Sequence, residues 1–176
     1  METGEMVIVI DPNKCTGCHG CEMACSMEHY GMTSTSLSRI RITEFREVNT
    51  FIPITCQACE DGLCIKVCPM GARRRSASGA VVTNEEACIG CMACIYACPF
   101  GAPVVNPESG KTMSCDQCVD EEQPWCVRAC VMQEALTYVP KCRASAVKAR
   151  SFAWTLKEQY EPKGAKDDAE SGFSFA

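Results

Sequence analysis

Cys88, Cys91, Cys94 and Cys98 are spaced C-x2-C-x2-C-x3-C, and Pro99 follows directly. Thiolate is a soft ligand, and this is a spacing at which it holds a [4Fe–4S] cubane. Three sulfurs on one short loop can wrap three irons. The fourth, a helical turn further on, points away and reaches a neighbouring cluster. Such a run needs a partner run, and the chain has three more. Cys15, Cys18, Cys21 and Cys25 repeat the same spacing. Cys56, Cys59, Cys64 and Cys68, with Pro69, have a stretched middle gap carrying Glu60, Asp61 and Gly62. Cys115, Cys118, Cys126 and Cys130 have a longer middle gap carrying Asp120, Glu121 and Glu122. Four runs of four cysteines supply sixteen thiolates, enough for four clusters, and Cys142 is left over. Spacing states that the last cysteine of each run leaves its own cluster. It does not state which run receives it.

The cysteine content is itself a constraint. Seventeen in 176 residues is the level of either a secreted disulfide scaffold or a metal protein. Met6–Ile10 is too short for the apolar segment of a secretory signal, no basic segment precedes it, and the count is odd; all three favour metal and a reducing, cytoplasmic setting. Structural zinc would use two separated C-x2-C pairs around one ion, whereas here four cysteines crowd each run. Cys15, Cys18 and His19 also spell C-x2-C-H, a haem-attachment pattern, but that would require export and would take two cysteines from the repeat. No apolar run approaches the ~20 residues of a transmembrane helix. A net charge of −5 argues against nucleic acid. Aromatics make up only 7 % of the chain, so inorganic clusters would fill much of the interior and folding should depend on them.

Short elements must position these runs. Strands are expected at Val7–Ile10, Arg39–Phe45, Phe51–Ile54 and Ala135–Val139, with a hairpin from Gly71 through Gly79 into Val81 and Val82, and a turn at Asn106–Gly110 after Val104 and Val105. Ala24–His29 reads as a short helix. Residues 144–161 read as a longer one, with Ala149, Phe152, Ala153, Leu156 and Tyr160 on one face and Pro162 as its stop. The tail from Lys163 is polar. The long helix could cover the chain's own core or serve as an arm that packs on another subunit, with Trp154 a candidate contact. Trp125, beside Cys126, is expected to shield a cluster from water. His19 and His29 read as surface residues or as donors near a cluster. Arg73–Arg75 reads as a solvated hairpin, with docking of an acidic partner as the other option. Asp120–Glu122 likewise reads as a solvated face.

The chain also repeats itself. Ile8 through Cys25 aligns with Val81 through Cys98: an apolar pair, a polar turn, then C-x-G-C-x2-C-x3-C, with Gly17 and Gly90 in the same place. The second and fourth runs form the other pair, each with an inserted middle gap.

On these motifs the sequence resembles the four-cluster ferredoxin-like electron-transfer subunits of dimethyl sulfoxide reductase, formate dehydrogenases, hydrogenases, carbon monoxide dehydrogenase and tungsten aldehyde oxidoreductases. The resemblance covers about residues 6–140, and the stretches from Cys68 to Ala72 and from Cys98 to Ala102 match the family's C-P-x-G-A. It implies that the first run pairs with the fourth and the second with the third. One cluster would take Cys15, Cys18, Cys21 and Cys130. A second would take Cys115, Cys118, Cys126 and Cys25. A third would take Cys56, Cys59, Cys64 and Cys98, and a fourth Cys88, Cys91, Cys94 and Cys68. Cys130 and Cys25 depart from the family pattern, since neither is followed by C-P-x-G-A.

The fold expected is α+β, with two interleaved bacterial-ferredoxin-like modules around four [4Fe–4S] clusters. The outer module would be residues 1–45 with 111–143 and the inner one 46–110, with a C-terminal helix and tail at 144–176. The expected function is electron transfer between a large catalytic oxidoreductase subunit and a flavin subunit, a ferredoxin or further copies of the chain. The compactness of the chain turns the resemblance toward soluble hydrogenase, carbon monoxide dehydrogenase or tungsten-enzyme partners, and among these toward a tungsten- or molybdenum-pterin partner of the aldehyde oxidoreductase type, with a hydrogenase, carbon monoxide dehydrogenase or formate dehydrogenase partner as the alternative. The chain is expected to have no catalytic residues of its own: it shows no phosphate loop, no Ser–His–Asp set and no H-E-x-x-H. A free-standing polyferredoxin and a zinc- or cluster-bearing interaction module are the competing readings.

Overall fold

The computed structural model describes residues 5–130 and 134–160. The first strand closes on the last. Strand β1, Met6–Ile10, pairs antiparallel with β8, Leu136–Pro140, in the register Ile8 opposite Tyr138 and Ile10 opposite Leu136. Ile8, Val9 and Leu136 are buried there. Three further two-stranded ribbons complete the β-structure of the described residues. They are β2, Arg41–Phe45, with β3, Thr50–Ile54; β4, Arg73–Arg75, with β5, Val81–Thr83; and β6, Val104–Val105, with β7, Thr112–Met113. An isolated two-stranded ribbon is marginal in water. Here each ribbon is anchored to a cysteine loop or to a helix.

The helices follow the cysteines. Helix α1, Gly20–Tyr30, buries Cys21, Glu22, Cys25 and Ser26 on one face and ends at Gly31, which is left-handed (φ 67°) and donates its N–H to Met27 O. It packs on α4, Trp125–Ala129. The single-turn helices α2, Leu63–Lys66, and α3, Ala93–Tyr96, pack on one another. All three short helices carry a run's third cysteine and deliver its fourth just past their ends.

Sulfur shares the core with hydrocarbon. Ile8, Ile40, Val81, Val127 and Leu136 pack with Cys21, Cys25, Cys56, Cys115 and Cys126 in one buried cluster. The architecture is α+β, as the sequence suggests.

Three local expectations are corrected. The first helix starts four residues before Ala24. The long helix, α5, spans Lys141–Tyr160 and so starts directly at the end of β8, where the Lys141 N–H donates to Glu5 O. Its apolar face does not cover the core, for Ala149, Phe152 and Leu156 are exposed. The arginine triplet is not a solvated hairpin. Strand alternation turns Arg73 and Arg75 inward and only Arg74 outward. Arg73 donates to Thr83 and Ser114, and Arg75 to the Ala58 and Cys59 carbonyls and to Glu5. The side chains of Trp154 and Tyr160, the stop at Pro162 and the tail from Lys163 lie outside the described residues.

Candidate metal centres

Each cysteine run opens on the same backbone device. The sulfur of its first cysteine accepts an N–H from two residues on: Gly17 to Cys15, Ala58 to Cys56, Gly90 to Cys88 and Gln117 to Cys115. The loop must curl tightly to do this, so left-handed residues cluster in it. Gly17 and Gly90 share φ of 69°, and the next turn is made by His19 (φ 58°) and Met92 (φ 62°). Ala58, Gln117 and Cys118 take positive φ in the other two runs. Such conformations are costly for residues with a Cβ and persist where the surroundings hold them. The internal repeat read from the sequence is therefore also a repeat of backbone conformation.

All seventeen cysteines are free of disulfides. A pocket is lined by Cys15, Cys18, Cys21 and Cys130, closed by Ile42, Pro53 and Leu136. A second is lined by Cys68, Cys88, Cys91 and Cys94. Cys25, Cys115, Cys118 and Cys126 form a third group: Cys126 lies within electrostatic reach of the other three, and Cys118 of Cys25. Cys56, Cys59 and Cys64 form a fourth. Cys98 packs against the same core as Cys64, but no described contact joins it directly to the other three. Three of the groups are linked by electrostatic reach: Cys126 is also in reach of Cys21, and Cys115 of Cys56. The packing of α2 on α3 brings the Cys64 loop beside the Cys94 loop. Cys18, in the first group, and Cys91, in the group of Cys68, Cys88 and Cys94, are exposed. Cys142, at the start of α5, is exposed and stands apart.

The electrostatics differ between these groups. Burial pushes the Cys21 and Cys115 thiols up to about 12, Cys118 to about 11, and Cys126 well above its ordinary value. Cys68 and Cys88 go the other way. Burial opposes it, but backbone N–H groups of Arg73, Met70 and Ala72 hold Cys68 below the usual thiol range. The Thr112 hydroxyl and backbone, the Gly90 N–H and the Lys111 charge do the same for Cys88. A bound iron would hold these buried sulfurs as thiolates, their protons released to solvent, because the metal charge reverses the local preference. Four soft donors around each pocket, with N–H groups aimed at sulfur, fit a [4Fe–4S] cluster and no hard cation.

Residues 48–139 match the family described as a 4Fe-4S dicluster domain, and residues 12–28 match a 4Fe-4S binding domain. The chain belongs to the 4Fe-4S dicluster family. It is an iron–sulfur electron-transfer protein that carries [4Fe–4S] clusters. Among dicluster relatives, the aliphatic sulfonate oxidoreductase polyferredoxin-like subunit of Pyrococcus furiosus is 43 % identical over 70 % of this chain and 70 % of its own. The B subunit of the anaerobic dimethyl sulfoxide reductase of Escherichia coli is 38 % identical over 74 % of this chain and 71 % of its own. Among solved structures, a protein of the active site complex BamBC of benzoyl coenzyme A reductase is similar at 24 % identity, covering 89 % of this chain and 92 % of that one, with a TM-score of 0.47. Among the described residues of this dicluster protein, no helix is long and apolar enough to cross a membrane.

Several contributors near the sulfurs are not legible as motifs. Thr112 Oγ1 lies 3.4 Å from Cys88 Sγ and 3.5 Å from Cys94 Sγ, from a strand that gives no sequence signal. His29, Asp116 and Cys118 bring ligand atoms within 4.8 Å of one another. His19 has both ring nitrogens on carboxylates, Glu22 and Glu44, so the C-x2-C-H pattern holds no free imidazole. Trp125 is half-buried beside Cys126, its backbone N–H serves the Cys118 sulfur, and the Arg128 guanidinium lies 4.6 Å over its ring.

Proposed function

We propose that the chain is the electron-transfer subunit of a multi-subunit oxidoreductase and relays single electrons through four [4Fe–4S] clusters. The observation that carries this reading is the succession of sulfur groups, with Cys18 and Cys91 exposed and Cys21, Cys25, Cys56, Cys94, Cys115 and Cys126 buried. A wire needs an entry, an exit and an insulated middle. The ligand sets are those with Cys15, Cys18, Cys21 and Cys130; Cys25, Cys115, Cys118 and Cys126; Cys56, Cys59, Cys64 and Cys98; and Cys68, Cys88, Cys91 and Cys94. Bound in these sites, the clusters supply one-electron exchange between 2+ and 1+ cores. The chain's own groups do the rest. Backbone N–H groups on sulfur stabilise the negative charge, and the buried side chains between the ends keep water from the inner sulfurs.

The two modules, residues 1–45 with 111–143 and residues 46–110, are interleaved on this reading, with the β2–β3 and β6–β7 ribbons straddling their boundaries. The partner is a large catalytic subunit. Relatives named for dimethyl sulfoxide reductase and for aliphatic sulfonate oxidoreductase support a partner of that general kind. Within it, a molybdenum- or tungsten-pterin enzyme of the aldehyde oxidoreductase type is the proposal, in the cytoplasm, with a ferredoxin or flavin subunit at the other end. Exposed apolar side chains lie around Cys91: Met70, Ile89 and Met92 line its pocket, and Tyr96 and Phe100 follow on the same run. Patches of this kind mark protein–protein contact.

The test is iron and sulfide analysis of anaerobically purified chain, with EPR after dithionite, and metal analysis of whatever co-purifies. About sixteen irons and sixteen sulfides per chain, with coupled signals, is the expected result. Zinc without sulfide would sink the reading. Purification without any large chain carrying molybdenum or tungsten would remove the pterin partner.

A further inference from the structure

Arg73 is the most deeply buried charged side chain of the described residues, at 2 % exposure. A buried charge is normally paired. Arg39, Arg46, Arg75 and Arg128 each have a carboxylate: Asp116, Glu44, Glu5 and Glu121. Arg73 has none among the described residues. Its Nη1 donates to Thr83 Oγ1 at 3.2 Å and its Nη2 to Ser114 Oγ at 2.8 Å, both neutral. Its Nε is buried with no partner. Two hydroxyls hold the guanidinium in place without neutralising it.

The charge sits between two sulfur groups. Arg73 lines the pocket of Cys68, Cys88, Cys91 and Cys94, and its backbone N–H serves the Cys68 sulfur. Its charge also acts on Cys56, in the neighbouring group. A 2+ cubane held by four thiolates carries roughly two net negative charges, and roughly three once reduced. That is the counter-charge a buried guanidinium lacks.

We propose that Arg73 is the shared counter-charge of the clusters built on the second and third cysteine runs, and that it raises their reduction potentials so that an electron on the wire rests there. The inference depends on the four-cluster reading above. Arg73 is a positioning residue for charge, not a ligand. One electron enters from the reductant, no proton need follow it, and the fixed cation stabilises the added negative charge through a low-dielectric interior. Beside the first- and fourth-run sulfurs, Arg39, which donates its backbone N–H to Cys25, is neutralised by Asp116.

The test is an anaerobic redox titration of the full, iron-loaded chain, read by EPR, on the wild type, Arg73→Met, Arg73→Lys and Thr83→Asp. At the potential that half-reduces the second- and third-run clusters in the wild type, Arg73→Met is expected to lower their reduced-to-oxidised ratio about tenfold, a shift of 59 mV for one electron. Thr83→Asp, which sets a carboxylate against Nη1 on a half-buried strand, is expected to move them the same way. Arg73→Lys is expected to stay near the wild type. If Arg73→Met fails to load iron, Thr83→Asp decides. Unchanged potentials in a loaded Arg73→Met or Thr83→Asp chain overturn the inference, as does a shift in Arg73→Lys as large as in Arg73→Met. A wild type that lacks these clusters fails the four-cluster reading instead, and iron content tells the two failures apart.

Discussion

Gly90 lies against the backbone of Gly110: a Cβ built on Gly90 would stand 2.7 Å from the Gly110 carbonyl oxygen. Gly90 also holds φ of 69° and donates its N–H to Cys88 sulfur. Gly90→Ala therefore strains both the loop and the neighbouring strand connection, with no flexible atom to yield. The expected outcome is loss of the cluster held by Cys88, Cys91 and Cys94, read as about four fewer irons per chain. Gly17→Ala should be milder, because the group it meets is the ring of Phe51, a side chain that can turn away.

Replacing Cys98 with Ala should damage the cluster built on Cys56, Cys59 and Cys64, although Cys98 is in the third run. The EPR spectrum of the variant, or its structure, checks this. Loss of the Cys88–Cys94 cluster alone would refute the crossed pairing.

The exposed apolar patch around Cys91 should be a docking face. Tyr96 is 86 % exposed and Ile89 63 %, which is uncommon for side chains of this size beside a buried core. Ile89→Asp or Tyr96→Asp is expected to leave iron content unchanged and to weaken co-purification with the catalytic subunit at least tenfold. Full association in both variants would move the contact elsewhere, with the Cys18 end as the next place to look.

Helix α5 projects with Phe152 64 % exposed. Deleting residues 144–176 should leave every cluster in place while weakening assembly with partner subunits. Size-exclusion chromatography of the complex reads the difference, and an unchanged elution would remove the arm from the contact.

Removing iron should unfold the chain rather than empty it. Five of the buried residues in the main core cluster are cysteines that the proposal makes ligands, and without iron their loops are held by few apolar contacts. Circular dichroism after chelation under oxidising conditions is expected to show loss of the short helices α2, α3 and α4 together, with no separate thermal transition left for the β1–β8 ribbon.

Cysteine spacing marks the loops that the structure draws into sulfur groups. It located all four loops, and the repeat of Gly17 and Gly90 anticipated the shared backbone turn. Strands with an apolar run, such as β1 and β8, were legible because their side chains must be buried on both members of the pair. The two-residue strand Thr112–Met113 was not, since nothing local distinguishes it from the turn before it; its pairing with Val104–Val105 is made by register across that turn. Arg73 and Arg75 were misread for a different reason. Three adjacent charges look like one solvated feature, yet a strand's period of two sends neighbours to opposite faces. Periodicity marks the long helix, with bounds of 144–161 where the structure has Lys141–Tyr160, but it cannot say whether an apolar stripe covers the chain's own core or waits for another protein.

The closure of β1 by β8 sets a timetable for biosynthesis. Ile10 finds its partner only when Leu136 has left the ribosome, on the order of ten seconds after Ile10 itself at ordinary translation rates. During that interval the nascent chain offers Cys15, Cys18, Cys21 and Cys25 with no strand to shelter them, while the hairpin of Arg73–Arg75 with Val81–Thr83 can already close. Any iron and sulfide delivered during synthesis would therefore meet the runs at different stages of enclosure. The sulfurs translated first are among the last to be enclosed, and they are the ones most exposed to oxygen or to a mismatched metal while the rest of the protein is still being made.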